Sequence, residues 1–344
     1  MSSTADNPTK YPPRTAPISS IEMPQFGFGC APLGDLFVET SEADTRLALD
    51  TAWDAGVRYY DTAPWYGHGL SEHRLGGLLR QHSRQGYYVS TKVGRVYLPA
   101  PRGEDKRVQW CGGQNFEVKY DYTAEGLAVS YTQSQLRLGQ SSVDALIIHD
   151  LDQGYHGDKF DRYYQQLKDS GLEYLHNLKS RGEISSVGMG INALGDFEFF
   201  ADRIDLDFFL VAMPYTLLDQ NSLNTAMKRC IERGIKIVVG SPFASGLLTN
   251  PTNPDVRYNY GPVPDYIRAR AIGLQDCCAE FNVPLMAAAL QFPLLHPAVY
   301  SIIPGARTAR QIIGNMKNFN LNIPRELWTE MKNRGLIVPD APIG

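Results

Sequence analysis

Cysteine is scarce: only Cys30, Cys111, Cys230, Cys277 and Cys278 occur in 344 residues, and no two stand in a C-x-x-C spacing. An odd, scattered set in a chain this long argues against a disulfide framework or a zinc ribbon and predicts a reducing, cytoplasmic setting. Basic excess is also missing. Lys and Arg number 33 against 37 Asp and Glu, a net charge of −4, which counts against nucleic acid as the main partner and confines any grip on phosphate to a local patch. No long hydrophobic run is unbroken. Asn282 to Ala306 holds no charged residue, yet Pro284, Pro293, Pro297 and Pro304 interrupt it. The pieces suit a buried helix (Leu285–Leu295) and a buried strand (Val299–Ile303) better than a membrane span. The N-terminus has no apolar run either; Pro8, Pro12, Pro13 and Pro17 among polar residues predict a flexible tail over 1–24 rather than a signal peptide.

What the chain does have is a regular series of short apolar runs. Strands are predicted at Phe26–Cys30, Tyr59–Thr62, Tyr87–Lys92, Ala145–His149, Ser186–Met189, Phe208–Met213, Lys236–Gly240 and Tyr300–Ile303. These runs are nearly continuous in apolar residues, as in parallel strands buried on both faces. Amphipathic helices are predicted between them at Ser41–Ala55, Ser71–Gln81, Thr123–Leu138, Ser170–Ser180, Ser222–Gly234 and Thr308–Phe319, mostly opening on Ser or Thr and closing near Gly. This alternation predicts an α/β fold, a single-domain (β/α)₈ TIM barrel over 25–335 with a short C-terminal tail over 336–344. The G-x-G pairs Gly27/Gly29 and Gly188/Gly190 do not extend to G-x-G-x-x-G, so a Rossmann site is not supported. Two long connections, Val93–Tyr122 and Ser241–Pro264, are expected on the functional face, where the loops after barrel strands lie.

Three consecutive strands end in polar residues: Asp61, Lys92 and His149, with Tyr66 in the loop after the first of them. A phenol with a pKa near 10 exchanges protons poorly at neutral pH. An ammonium beside it stabilises the phenolate, and a carboxylate keeps that ammonium charged and oriented. His149 is then placed to hold a substrate oxygen. The set contains no nucleophile and no carboxylate pair of the glycosidase kind, and His68, His73, His82 and His149 show no metal-ligand spacing, so no metal is expected. A proton-moving device without a nucleophile suits hydride transfer with a bound cofactor.

The motifs Asp61-Thr-Ala-Pro-Trp-Tyr-Gly67, Gly69-Leu-Ser-Glu-His-Arg-Leu-Gly76, Ser90-Thr-Lys-Val-Gly94, Ile148-His-Asp150, Lys179-Ser-Arg-Gly-Glu-Ile-Ser-Ser-Val-Gly188, Pro214-Tyr-Thr-Leu-Leu-Asp219, Gly240-Ser-Pro-Phe243 and Ile303-Pro-Gly-Ala-Arg307 resemble the aldo-keto reductase superfamily. The resemblance runs from about Phe26 to Phe319. It implies NAD or NADP as cofactor and a tetrad of Asp61, Tyr66, Lys92 and His149, with Tyr66 as general acid/base. It also implies cofactor contacts at Gly29, Asn192, Ser241, Pro242, Phe243, Ser245, Gly246, Pro304, Gly305, Arg307 and Asn315. The loop after Gly240 is expected to offer backbone N–H groups to a pyrophosphate, and the helix after Thr308 to favour phosphate at its N-terminus. The chain departs from the commoner pattern at Gly190-Ile191, Ala212 and Gly240, so the nicotinamide is held differently. Gly305 stands where a Lys often meets the 2′-phosphate, with Arg307 close by, which leaves NAD or NADP open.

The departures, with Gly188-Met-Gly-Ile-Asn192, Trp65-Tyr-Gly-His68 and Trp110-Cys-Gly-Gly-Gln-Asn-Phe116 followed by Tyr120-Asp-Tyr122, resemble the aldose 1-dehydrogenase branch. That branch includes L-fucose (D-threo-aldose) dehydrogenases and the related pyridoxal 4-dehydrogenases, which oxidise a cyclic hemiacetal to a lactone. Substrate contacts are expected at Asp35, Trp65, His68, Trp110 and Asn192, aromatic surfaces and amide or carboxylate groups suited to a hydroxylated ring. A general NADPH-dependent aldehyde reductase and a non-catalytic nucleotide-binding regulatory module are the alternatives. The expected partner is a small molecule, an aldose or pyridoxal-like hemiacetal, with no membrane and a monomer or weak homo-oligomer.

Overall fold

The eight apolar runs become one parallel sheet in the computed structural model, which describes residues 19–259 and 261–343. In chain order the strands are β1 (Phe28–Gly29), β2 (Tyr59–Asp61), β3 (Tyr88–Val93), β4 (Arg95–Pro99), β5 (Phe116–Tyr120), β6 (Ala145–Ile148), β7 (Ser186–Ile191), β8 (Phe208–Val211), β9 (Lys236–Val239) and β10 (Val299–Ile302). All except β4 and β5 pair as parallel neighbours in the order β1-β2-β3-β6-β7-β8-β9-β10. The edges meet: Phe26 bridges Ile302, Gly29 bridges Gly305, and the Gly29 N–H donates to the Pro304 carbonyl at 3.1 Å. Here a side chain cannot fit, because a Cβ on Gly29 would sit 2.6 Å from the Ile303 carbonyl oxygen. The TIM barrel is therefore closed at a glycine, and closure removes the unpaired edges an open sheet would leave.

Alternation along the strands sorts side chains into two layers. Tyr59, Tyr88, Ala145, Ile147, Phe208, Leu210, Val238 and Ile303 fill the barrel interior. Their neighbours Tyr60, Val89, Leu146, Ile148, Phe209, Ile237 and Val239 face the surrounding helices. Ile21 and Met23 pack against the interior cluster, so residues 19–24, expected in a flexible tail, are docked on the barrel; the four prolines of that tail lie outside the described residues. Ile337 and Ala341 are likewise buried against the helical layer rather than trailing free.

The helices follow their caps where the capping hydroxyl is available. Ser41, Thr123 and Thr308 accept from the N–H groups of Asp44, Gly126 and Gln311. Two expected starts moved because their hydroxyls are used elsewhere. Ser170 caps a neighbouring helix by accepting from the Ala124 N–H at 3.0 Å, so its own helix begins at Phe160 and passes a wide turn at Leu167–Gly171 before ending at Ser180. Ser222 donates to the Pro214 carbonyl at 2.7 Å, and its helix starts at Ala226. The uncharged stretch resolves into the helix Leu285–Gln291, a short turn Phe292–Leu295 and β10. Among the described residues no single helix is long and apolar enough to cross a membrane.

At the end of the barrel opposite the site, Asp144 pairs with Arg84 at 2.8 Å and accepts from the Val89 N–H at 2.6 Å. Burial lifts its carboxyl to about 6 despite Arg84. The folded chain therefore holds this proton between about pH 4 and pH 6 while the unfolded chain has released it, so the contribution falls as pH rises through that window. Asp144→Asn is expected to remove this part of the pH dependence of the melting temperature; a slope unchanged in the variant would contradict the assignment.

Candidate active site

The same alternation that fills the barrel floor builds its mouth. Two residues above Tyr59 stands Asp61, two above Ile147 stands His149, and Lys92 follows Tyr88 and Ser90 on the inward face of β3. All three are at most 5% exposed. Lys92 Nζ donates to Asp61 Oδ2 at 2.7 Å and to the Thr62 carbonyl at 2.9 Å, and the Ser90 hydroxyl donates to Asp61 Oδ1 at 2.7 Å. Burial still pushes the Asp61 carboxyl above its ordinary range, against the pull of Lys92.

Tyr66 sits in the turn that leaves β2. Its N–H donates to the Ala63 carbonyl at 3.2 Å and its carbonyl accepts from Ser71 at 3.1 Å. Gly34 lies so close that a Cβ there would be 2.5 Å from the Gly67 nitrogen, and two loops in such contact hold the Tyr66 backbone. The half-buried ring lies with its centre 4.6 Å from Lys92 Nζ and 6.0 Å from the His149 ring, edge to face. The four residues singled out from the sequence are thus brought to one place. Burial holds the His149 imidazole well below its usual range; Arg95 and Lys92 act in the same direction and Asp150 opposes them. His149 is therefore neutral at physiological pH.

The long connection after β3 is an antiparallel hairpin, β4 with β5, rather than an unstructured loop. Its strand β5 alternates half-buried and exposed residues (Phe116-Glu-Val-Lys-Tyr120), a period-2 signal within a stretch read only as loop. The hairpin walls a cleft of about 500 Å³ with Trp65, His68, Phe116, Tyr120 and Tyr155 among its lining. Of the expected substrate contacts, Trp65 and His68 line this cleft, their rings 5.1 Å apart. Burial lowers the His68 imidazole to about 4, so it is neutral. Trp110 is buried behind Trp65 and Tyr66, its ring 5.9 Å from each, with no partner for its indole N–H among the described residues.

Asp35 is placed differently from expectation. Its carboxylate pairs with Arg74 at 2.7 Å and accepts from the Thr40 N–H at 3.0 Å, both through Oδ1, so this buried acid anchors the loop after β1. Asn192 donates to Asp150 Oδ1 at 2.8 Å, which commits its amide nitrogen within the protein. Sequence reading missed Arg95 and Tyr155. Arg95 stands three residues after Lys92, but only the hairpin turns it inward, to pair with Asp150 at 2.7 Å.

The cofactor contacts divide in a similar way. Gly29 closes the barrel, as described above. In the loop Ser241–Gly246 the Ala244 and Gly246 N–H groups donate to the Ser241 and Phe243 carbonyls at 2.9 and 3.0 Å, and the Ser245 N–H to the Ser241 hydroxyl at 3.3 Å. This turn is thus largely self-bonded, and fewer N–H groups are open to phosphate than its composition suggests; Pro242 and Phe243 are buried, while the side chains of Ser241 and Ser245 remain half-exposed. Past the buried Pro304 and exposed Gly305, the helix Ala309–Phe319 has a capping box formed by Thr308 and Gln311. Arg307 reaches the Leu36 carbonyl at 2.7 Å, and its Nε is buried without a partner among the described residues. Asn315 is 3% exposed on the same helix, with no hydrogen bond to its amide among the described residues. The orphaned Arg307 guanidinium nitrogen just before the helix start, with Asn315 two turns along the same helix, fits a dinucleotide. After Met189 and Val239 stand Gly190 and Gly240; a Cβ on Gly190 would lie 3.8 Å from the His149 ring and one on Gly240 2.8 Å from Leu210.

Residues 25–334 match the aldo/keto reductase family. The chain belongs to this family. As an aldo/keto reductase it is an oxidoreductase that uses NAD(P)(H). Among curated relatives it is 38% identical over 321 residues to pyridoxal 4-dehydrogenase of Microbacterium luteolum, covering 90% of this chain and 94% of that one. It is 35% identical over 328 residues to D-threo-aldose 1-dehydrogenase of a Pseudomonas species, covering 94% and 97%. A solved aldo-keto reductase from Bacillus halodurans, in its holo form, superposes with a TM-score of 0.70 at 22% identity, covering 93% of this chain and 95% of that one, a likeness of fold.

Proposed function

We propose that this aldo/keto reductase oxidises a cyclic hemiacetal, of the aldose type, to its lactone, with Tyr66 as general base. The single observation that carries this reading is the half-buried Tyr66 ring beside both the Lys92 ammonium and the His149 imidazole at the open end of the barrel. The hemiacetal hydroxyl gives its proton to Tyr66 as the lactone carbonyl forms. Lys92 stabilises the negative charge on the phenol oxygen, and the buried Asp61 keeps Lys92 oriented. His149 donates to the substrate oxygen and holds it in line. Bound nicotinamide supplies the acceptor for the hydride leaving the anomeric carbon. Ser241, Ser245, Arg307 and Asn315 are the residues proposed to hold the dinucleotide, with Pro242, Phe243, Gly246, Pro304 and Gly305 shaping its groove.

A second reading, the hemiacetal of pyridoxal, is favoured by the aromatic cleft of Trp65, Phe116, Tyr120 and Tyr155 and by the commitment of Asp35 to Arg74. A flat heteroaromatic ring stacks on such walls with less need for carboxylate partners. The deciding experiment is NAD⁺ and NADP⁺ reduction with L-fucose, D-arabinose, L-galactose and pyridoxal, with the lactone identified by mass. Lactone from a sugar supports the first reading and lactone from pyridoxal the second. Turnover restricted to reduction of open-chain aldehydes would refute both.

A further inference from the structure

The buried ion pair beside the site is not used by the proton transfer described above. Arg95 is 1% exposed, yet it meets one carboxylate only: Nη2 lies 2.7 Å from Asp150 Oδ2, and Nε and Nη1 have no hydrogen-bond partner among the described residues. Around the guanidinium stand the rings of Trp65, Tyr155 and Tyr120, with centres at 5.1, 5.2 and 5.3 Å. Aromatic faces stabilise a cation that has few donors satisfied, and here those faces belong to residues that line the cleft walled by the hairpin. Asp150 follows His149 in a left-handed backbone conformation, φ 45°, which few residues other than glycine adopt. The result is a carboxylate beside the preceding imidazole: Oδ2 is 3.4 Å from His149 Nε2, while Oδ1 accepts from Asn192.

We propose that Arg95, Asp150 and Asn192 form a positioning unit for His149, fixing its proton on Nε2 so that the ring meets the substrate oxygen as a donor. The proposal rests on the reading of His149 given above. The reason is electrostatic. His149 Nδ1 is buried without a partner among the described residues, so a proton there would be an unsatisfied donor, whereas a lone pair on Nε2 would face the Asp150 carboxylate at 3.4 Å and be repelled; the tautomer with the proton on Nε2 is therefore selected. At 3.4 Å the contact is longer than an ordinary N–H···O bond of about 2.7–3.2 Å, so the donor is oriented without being tied up. Arg95 has the complementary task. It balances the Asp150 charge, which would otherwise draw a second proton onto the ring. The Arg95 charge and the hydrogen bonds from Arg95 and Asn192 hold the Asp150 carboxyl ionised even though burial alone would raise it. The charged or titratable groups facing the imidazole are Asp150, Arg95, Lys92 and Tyr66.

Two measurements test this. The ¹⁵N shifts of His149 in the wild-type holoenzyme are expected to show a neutral ring protonated at Nε2; protonation at Nδ1 overturns the proposal whether or not the enzyme turns over. Asp150→Asn, nearly isosteric, can present its amide N–H to Nε2 and reverse the tautomer. It is expected to lower kcat ~10- to 100-fold at unchanged coenzyme affinity. Arg95→Met is expected to move the acid limb of the kcat profile up by about one pH unit, with Arg95→Lys restoring it in part. An Asp150→Asn protein that keeps the wild-type tautomer overturns the positioning role. If the tautomer reverses and kcat does not fall, it is instead the oxygen-holding role of His149 that fails.

Discussion

Tyr66→Phe is expected to reduce kcat by roughly 10³-fold, in keeping with the 10²–10⁴-fold range for a positioned acid or base, while coenzyme binding followed by fluorescence stays within about twofold. The substitution removes one oxygen atom and keeps the ring. Its packing over Lys92 Nζ, at 4.6 Å from the ring centre, and its edge contact with His149 therefore survive. What disappears is the acceptor for the hemiacetal proton. A Phe variant with near-normal turnover would mean that another group takes that proton, and the proposed role of Tyr66 would be lost. A variant that also failed to bind coenzyme would show a disrupted mouth and would be judged by its melting temperature instead.

Lys92→Met carries the second large effect, and it acts on stability as well as turnover. The substitution leaves Asp61 1% exposed with Ser90 as its remaining side-chain partner, and stranding a buried charge costs about 3–5 kcal/mol. Burial already raises the Asp61 carboxyl with the ammonium present; without it the rise is greater. The folded variant then holds a proton that the unfolded chain releases near pH 4, so its stability falls as pH rises above that value. Denaturant melts at pH 5 and pH 8 should show a larger deficit at pH 8. The double variant Asp61→Asn/Lys92→Met should recover much of the stability, because no unpaired charge remains, without recovering activity. A pH-independent deficit, or a double variant no more stable than the single, would show that the pair does not act as described.

How much of this was legible beforehand depends on the range of the interactions concerned. Apolar runs and capping residues act within a few positions, so the eight barrel strands and most helices could be read directly; β4 and β5 could not, because their pairing joins Arg95 with Tyr120 across the chain. The candidate residues were legible because a strand end is a local feature: Asp61, Lys92 and His149 are polar residues that close apolar runs, and residues two apart on a strand share a face, which brings all three to the mouth. The pairing of Asp35 was not legible, because Arg74 lies on a different element and is brought beside it only by the fold. The internal bonding of the turn after β9 was hidden for a related reason: composition shows that N–H groups exist and conceals that those of Ala244, Ser245 and Gly246 bond within the turn.

Sequence alone determined the number and order of the eight barrel strands and the chemical types gathered at their ends, since both follow from short apolar runs and the polar residues that close them. Only the tertiary structure decided which charges pair. Arg95 turns from a hairpin onto Asp150, Arg74 pairs with Asp35, and Gly29 becomes a closure residue because the last strand lies against the first. Ion pairs and close backbone approaches depend on distances between segments far apart in the chain, and those distances exist only once the barrel has closed.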